Sequence, residues 1–491
     1  MRRRLLAIVA SAVLLPAAAA GSAAADDPSV QAIGQQAASQ QSASSSATST
    51  QVAPSNTNIS VRIGSPGDGG AVTQTNSSSA ASAAGNANSA LQQAEQAAAG
   101  AGVQLADQSA ANQQSADSAA TSTQDHPKNT NIAVRIMSPG DDGDVTQTNS
   151  SSAASAAGNA NKTDQSAGQS GGGAQKVGQQ ASSDQDASSE ATSEQKRPSN
   201  VNVPVRIFSS GDDGDVTQTN SSSAKSAAGN ANATKQASAQ HAGGGPGQTT
   251  VQAIGQKASN DQSADSSATS EQAGASNVNV PVRIFSSGDD GDVTQTNSSS
   301  ATSAAGNANR TSQDAAQDAG PSEPMVVEDD PVTVQAVGQW AGNEQSAGSS
   351  ADSTQKDASN RNAPARIDSR GDDGDVTQRN ASSAKSAAGN ANVTDQATEQ
   401  SADAWFGVLV QAIGQRAAND QDAWSDATSR QFAPSNVNTA GDGGSVDQAN
   451  TSSAASAAGN ENVACQTATQ GQGKGPSCEQ RWMKERARRV Q

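Results

Sequence analysis

The stretch that decides the fold is Gln256-Lys-Ala-Ser-Asn-Asp-Gln-Ser-Ala-Asp-Ser-Ser-Ala-Thr-Ser-Glu-Gln272. Every second residue from Gln256 onward is Gln, Ala, Asn or Ser, whereas the residues between them include Lys257 and Asp261. Two interleaved sets with a period of two are typical of a β-strand, which turns alternate side chains to opposite faces. An amphipathic helix would instead relate positions three and four apart.

This first module occurs six times, and in every copy a second and a third Gln follow the first at the same distances. The copies begin at Gln35, Gln108, Gln179, Gln256, Gln339 and Gln415. The residue after the first Gln varies freely between copies, from Lys257 to Trp340. The constant set therefore predicts an inward face, which in copies one and four includes Gln35, Gln41, Gln51, Gln256, Gln262 and Gln272.

A second, more apolar module follows, for example Asn202-Val-Pro-Val-Arg-Ile207. Its alternating β-branched residues predict another strand, and Pro204 and Pro281 indicate an edge, a bend or a strand start. The turn sequence Gly-Asp-Asp-Gly-Asp comes next in copies two to five.

The third module again alternates, from Gln147 through Asn149, Asn159 and Asn161 to Gln165 in copy two. Its equivalents in copy one are Gln74, Asn76, Asn86 and Asn88. Many intervening residues are also constant and small, including a Gly in each copy, so either both faces are closely packed or the Gly marks a bend.

Spacing separates rigid units from tolerant links. The first Gln of module one lies 39 residues before that of module three in five copies, as from Gln35 to Gln74, whereas the links between units vary in length. We therefore expect folded units joined by loops. The expected division is a signal peptide (1–25), repeats at 30–92, 103–165, 174–236, 251–313, 334–396 and 410–466 (the last shortened), and a basic tail (467–491).

An ordinary hydrophobic core is out of reach, because Leu, Ile, Val and Phe make up about a tenth of the chain, below the ~20% expected of globular domains. Buried Gln and Asn need hydrogen-bond partners, and stacked identical repeats supply them as ladders of amides ~4.8 Å apart. The predicted fold class is all-β, a repetitive β-solenoid or β-arcade of six Gln/Asn/Ala/Ser-rich units. The alternative is a largely disordered chain.

The strings Gln31-Ala-Ile-Gly-Gln-Gln-Ala37, with Gln41, and Gln411-Ala-Ile-Gly-Gln-Arg-Ala417, with Gln421, resemble curlin repeats. Curlins form extracellular β-solenoid amyloid fibres, so the resemblance implies assembly into a matrix or biofilm fibre. The repeat here is several times longer than a curlin repeat, its spacing differs by about a residue, and it lacks the aromatic ladder residues.

The N-terminus predicts export. Arg2, Arg3 and Arg4 precede the apolar stretch Leu5 to Leu15, and Ala23-Ala-Ala25 ends in a typical cleavage site. We expect a secreted, extracellular protein, with or without attachment to the cell surface. The mature chain is expected to have no transmembrane segment. The formal net charge of −18 argues against nucleic acid.

The repeats offer candidate binding sites for three kinds of ligand. The acidic turns offer oxygen ligands to Ca²⁺, and the candidate residues are Asp141, Asp142, Asp144, Asp212, Asp213, Asp215, Asp289, Asp290 and Asp292. The alternative is a β-turn whose Asp pairs with the nearby Arg135, Arg206 or Arg283. Pairs such as Thr146 and Thr148 place two hydroxyls on one strand face, as in ice-binding solenoids, and a glycan is the other ligand considered.

The chain contains two cysteines, both near its C-terminus. Cys465 and Cys478 predict a disulfide in an exported protein; the alternatives are free thiols or an intermolecular bond. Gly168-Gln-Ser-Gly-Gly172 fits a hydrolase string, but the chain's two histidines, His126 and His241, lie far apart in the sequence. We therefore expect no enzymatic activity and no cofactor other than a possible Ca²⁺.

These patterns favour an extracellular structural protein whose partner is a second copy of itself or a cell-surface polymer. The alternatives are a binding module for Ca²⁺, ice or glycan, and a disordered secreted spacer.

Overall fold

The computed structural model describes residues 11–13, 30–243, 249–320, 332–402, 408–439 and 444–471, and these residues form strands and turns without a helix. The predicted all-β, repetitive β-solenoid is confirmed, and the disordered alternative is not favoured. The strands are β1 (Ser11–Val13), β2 (Val30–Val52), β3 (Ser55–Ile63), β4 (Val72–Asp125), β5 (Lys128–Ile136), β6 (Val145–Lys196), β7 (Ser199–Ile207), β8 (Val216–Ala242), β9 (Thr250–Ala273), β10 (Ser276–Asn279), β11 (Val282–Ile284), β12 (Val293–Ala319), β13 (Val332–Lys356), β14 (Ser359–Asn362), β15 (Ala365–Ile367), β16 (Val376–Ala402), β17 (Val408–Phe432), β18 (Ser435–Asn438) and β19 (Val446–Gln470).

Each repeat forms one layer of the solenoid, and its three modules contribute to three parallel sheets. Sheet I contains the first modules, which are β2, the second halves of β4 and β6, β9, β13 and β17. Sheet II contains β3, β5, β7, β10, β11, β14, β15 and β18. Sheet III contains the first halves of β4 and β6, then β8, β12, β16 and β19. Because β4 and β6 run from sheet III of one layer into sheet I of the next, these two sheets are continuous.

Equivalent residues lie opposite each other in adjacent layers, although the repeats differ in length. The first Gln of module one, Gln35 in the first layer, pairs with its counterpart in the next layer. The two residues of each pair are 73, 71, 77, 83 and 76 positions apart in successive layers. The register is thus set by matching side chains, and the links between layers absorb the differences.

Sheets I and III face each other across a core of small side chains. Two columns of alanines pack there, one around Ala224, Ala268 and Ala301 and the other around Ala228 and Ala264. All nine residues of the predicted inward set in copy four are at most 5% exposed. Ala and Ser allow close packing, which gives the dispersion contacts that larger apolar groups supply in ordinary cores.

Sheet II turns polar side chains toward the inside of the solenoid and apolar side chains toward the outside. Asn131 and Arg135 of β5 are buried on the inner face of the sheet, whereas Ile132, Val134 and Ile136 lie on the outer face. The inward asparagines find amide and carbonyl partners in sheet III and in the adjacent layers, and the inward arginine finds carboxylate and carbonyl partners in the acidic turns. The most apolar module of the sequence therefore places its β-branched residues on the outside.

Two local expectations differ from the structure. Pro204 lies inside β7 and not at a strand end, whereas Pro281 falls between β10 and β11, where the strand is interrupted. The constant small residues of module three do not pack on both faces, since Ala154, Ala156 and Ala160 are exposed. Gly158 stands in this outer row, where an added Cβ would lie 3.2 Å from the carbonyl oxygen of Gly229.

Candidate functional surfaces

Glutamines of sheet I form continuous amide ladders. Gln108 donates from Nε2 to Oε1 of Gln35 at 2.8 Å, and Gln179 donates in turn to Gln108 at 2.9 Å. Gln108 Nε2 also donates to the backbone carbonyl of Ser166 in sheet III at 3.0 Å. One amide thus joins two layers and two sheets, which satisfies the buried group and fixes its rotamer.

Asparagine ladders run in the opposite direction. Asn86 donates from Nδ2 to Oδ1 of Asn159, and Asn159 donates to Asn230, both at 2.9 Å. The glutamines therefore donate toward the first layer, and the asparagines donate toward the last. The structure places the ladder residues predicted from the sequence on inward faces within these columns, namely Gln35, Gln41, Gln51, Gln74, Asn76, Asn86, Asn88, Gln147, Asn149, Asn159, Asn161, Gln165, Gln256, Gln262 and Gln272.

The two ends of the solenoid expose these ladders. Within the described chain, no strand pairs with the outer edges of β17 and β19, and β1 alone lies outside the first layer, opposite Asn88 to Ala90. Gln448 and Asn450 of the last layer are exposed for this reason. The end faces carry the same amides as the core, but with one neighbour missing.

A ladder of alternating Arg and Asp fills the corner between sheet II and the acidic turns. Arg206 donates from Nε to Asp213 Oδ1 at 2.5 Å, and its Nη2 lies 2.9 Å from Asp142 Oδ2 of the preceding layer, as an ion pair and not an aligned hydrogen bond. Its Nη1 donates to the carbonyl of Gly140 at 2.8 Å. The equivalent Arg135, Arg283 and Arg366 make the same kind of contacts.

This ladder determines what the acidic turns can bind. The middle carboxylates, Asp142, Asp213 and Asp290, pair with arginine. The outer ones hold the next layer, since Asp141 Oδ1 accepts from Asp212 N at 2.9 Å and Asp144 Oδ1 from Asp215 N at 3.1 Å. No cluster of three or more His, Cys, Asp or Glu placed for a metal occurs in the described residues. Binding of Ca²⁺ by the outer carboxylates, such as those of Asp141 and Asp144, stays a prediction.

Burial raises the pKa of Asp290 from 3.8 to about 6, against the opposing effect of Arg283 and Arg366. The native carboxyl then holds its proton at pH values where the unfolded chain has lost it. Its contribution to stability is complete below pH ~4 and is lost as the pH rises through about 6.

A second column of carboxylates lies on the outer face of sheet I. Asp184, Asp261, Glu344 and Asp420 occupy equivalent positions in four consecutive layers. Burial raises the pKa of Asp261, and the charges of Glu344 and Asp184 raise it further. Charges of one sign directly opposite each other in neighbouring strands are destabilising.

The threonine pairs predicted as a binding face are brought together by the stacking. One column contains Thr73, Thr146, Thr217, Thr294 and Thr377, and the next contains Thr75, Thr148, Thr219 and Thr296. A pair that is sparse in the sequence thus becomes a two-column array with ~4.8 Å between layers.

The segment from Gly168 to Gly172, which fits a hydrolase motif, lies beside residues that the sequence did not place near it. Ser170 lies opposite His241 in the next layer, and His241 Nδ1 lies 3.1 Å from Asp318 Oδ2. The side chains of His241 and Asp318 are 60% and 53% exposed, and no hydrogen bond joins Ser170 Oγ to His241 in the described structure. Water competes for each group, so this column gives no support to hydrolysis.

Cys465 lies in β19 and is disulfide-bonded; Cys478, most of the predicted signal peptide and the predicted basic tail beyond Gly471 lie outside the described residues. No helix within the described ranges has the length and apolar character needed to cross a membrane.

Comparison with protein-family models, curated proteins and solved structures finds no match for this chain.

Proposed function

We propose that this chain is a secreted structural protein whose copies stack end to end into an extracellular fibre. The observation that supports this most directly is the likeness of the two end faces. In sheet III, the twelve inward positions from Gln74 to Gln96 carry the same residues, in the same order, as those from Gln448 to Gln470. A second copy placed after the last layer would continue each of these columns.

The direction of the ladders favours one way of stacking. The first layer presents Gln donors and Asn acceptors, because Gln ladders donate toward it and Asn ladders donate away from it. The last layer presents Gln acceptors and Asn donors. In each column, donors therefore meet acceptors when the last layer of one copy lies against the first layer of another. Such a heterologous contact does not close on itself and produces a filament.

The experiment uses the chain without residues 1–25, followed by light scattering and electron microscopy over a range of concentrations. We expect unbranched fibres above a threshold concentration. The variant N450D/N462D should stop growth, because it replaces two amide donors of the end face by carboxylates. Within the molecule, Asn380 and Asn392 donate to Oδ1 of Asn450 and Asn462, so a carboxylate retains those contacts.

The matched control is S453D/A455D, which adds the same charge to the outer face of β19 and should leave fibre growth unchanged. A chain that stays monomeric at every concentration would refute end-to-end assembly. Equal inhibition by both variants would refute the role of the ladders.

A second candidate function follows from the threonine array. A regular lattice of hydroxyls on a rigid sheet suits an ordered surface such as ice or a crystalline polysaccharide. T148K/T219K should abolish adsorption to that surface, whereas S115K/S263K, on the outer face of sheet I, should not. Absence of adsorption by the unmodified chain would eliminate this candidate.

A further inference from the structure

The outer face of sheet II is lined with partly exposed apolar side chains. It consists of Ile and Val columns from four layers, such as Ile132, Val203 and Val280, and of the residue that follows each strand. Met137, Phe208 and Phe285 occupy that following position and are 58%, 59% and 50% exposed. The rings of Phe208 and Phe285 stack with their centroids 5.2 Å apart. Contiguous apolar surfaces of this kind are typical of interaction sites.

The backbone at this position gives an independent indication. Met137, Phe208 and Phe285 have φ of 49°, 50° and 49°, in the left-handed region that bulky residues avoid. Gly64 and Asp368 occupy the same position in layers one and five, with φ of 60° and 48°, and residues of these types tolerate this conformation. Folding alone would favour Gly, Asn or Asp at all five positions. The large side chains in the three middle layers therefore need another reason.

From these observations we propose that the outer face of sheet II docks against the same face of a second copy, about a twofold axis that lies in the interface and runs parallel to the stack of layers. Five layers ~4.8 Å apart and seven residue steps of ~3.3 Å give about 550 Å² per copy, or about 1,100 Å² for the pair. This is near the lower limit for a specific interface, so the pairing is reversible.

Charge at the rim favours a second copy over other occupants. In layers two and three, the strands of sheet II begin beside exposed Lys128 and Arg197 and end beside exposed Asp141 and Asp212. A twofold axis parallel to the stack keeps each layer opposite its counterpart and places the beginning of each strand against the end of its partner strand, so Lys128 lies near Asp141, and Arg197 near Asp212, across the interface. The acidic row along one rim is unsuited to an anionic lipid surface.

This side-by-side pairing uses a different surface from end-to-end stacking, so either can fail without the other. The test is made in the N450D/N462D background, by sedimentation of the chain without residues 1–25 at concentrations up to about 0.1 mM. We expect a monomer–dimer equilibrium. F208N/F285N should raise the dimer Kd at least tenfold, and R197E should raise it by a smaller factor.

Two readouts separate loss of the interface from loss of the fold. F208N/F285N should not lower the melting temperature of the monomer, because Asn tolerates a positive φ. The control L91N/V393N removes exposed apolar side chains from sheet III and should leave the dimer unchanged. A background protein that remains monomeric at 0.1 mM, or that instead cosediments with phosphatidylcholine vesicles, would overturn the proposal. A dimer that persists in F208N/F285N would do the same.

Discussion

Sheets II and III both bury polar residues but use them differently. In sheet III, Asn149 meets Asn220 in the next layer and Asn200 of sheet II, so each buried amide has neutral partners of its own kind. In the corner of sheet II, Arg206 is buried between Asp142 and Asp213. A stacked repeat can thus bury amides or charges, provided that every layer supplies the complementary group at the same height.

The two arrangements should differ in their sensitivity to a single change, since an unpaired buried charge costs more than an unpaired amide. The following variants measure that difference, beginning with the largest expected effect.

Arg283→Ala removes a buried guanidinium that contacts Asp213, Asp290 and the carbonyl of Gly211. We expect a loss of about 3–5 kcal/mol in the free energy of unfolding, the usual cost of breaking a buried pair, measured by chemical denaturation. The control is Arg361→Ala, an exposed arginine on the outer face of sheet II, which should change stability by less than about 0.5 kcal/mol. Similar losses in both variants would show that the Arg–Asp ladder contributes nothing particular.

Gln262→Leu interrupts an amide ladder in the middle of sheet I. It deprives Gln185 Oε1 and the carbonyl of Ala308 of a donor, and Gln345 Nε2 of an acceptor. Because buried groups left without a partner cost about 1–3 kcal/mol, we expect a loss in this range, smaller than that of Arg283→Ala. Gln113→Leu, on the exposed face of the same sheet, should be nearly neutral. A loss for Gln262→Leu no larger than for Gln113→Leu would contradict the ladder as a source of stability.

Asp261→Asn tests the outer face of sheet I. The pKa of Asp261 is raised, so the native state binds its proton more tightly than the unfolded chain, and the stability from this group falls as the pH rises above about 4. We expect the variant to be more stable at pH 7 by about 0.2–1 kcal/mol, with no gain near pH 4, in thermal melts at both pH values. Asp164→Asn should give no gain at pH 7, since Asp164 stacks between Leu91 and Lys235. A gain of the same size at both pH values would exclude charge repulsion as the cause.

Much of the fold could be predicted from alternation alone. The inward set from Gln256 to Gln272 is buried as expected, and the 39-residue spacing within a repeat corresponds to one passage from sheet I through sheet II to sheet III. These features are predictable because each strand displays its own period of two, and because identical residues recur at fixed distances.

The functional surfaces were less accessible to sequence reasoning. Nothing in the order of residues indicates that Thr146 and Thr217 lie in one column, or that Ser170 lies beside His241, until the register is known. Module two was predicted as a strand, but its alternation does not say which set of residues is buried. Hydrophobicity would favour the Ile and Val set, and the structure buries Asn131 and Arg135 instead.

The sequence by itself determined the strands, the repeat and the identity of the inward residues in modules one and three, because these are properties of local alternation. Only the tertiary structure decided that arginine is buried in module two, that Gln and Asn ladders run in opposite directions, and that Phe208 and Phe285 lie outside. The reason is physical: whether a polar side chain can be buried depends on what the facing sheet and the adjacent layers offer it, and the Gln and Asn ladder partners in the adjacent layers are 70 to 83 residues away along the chain.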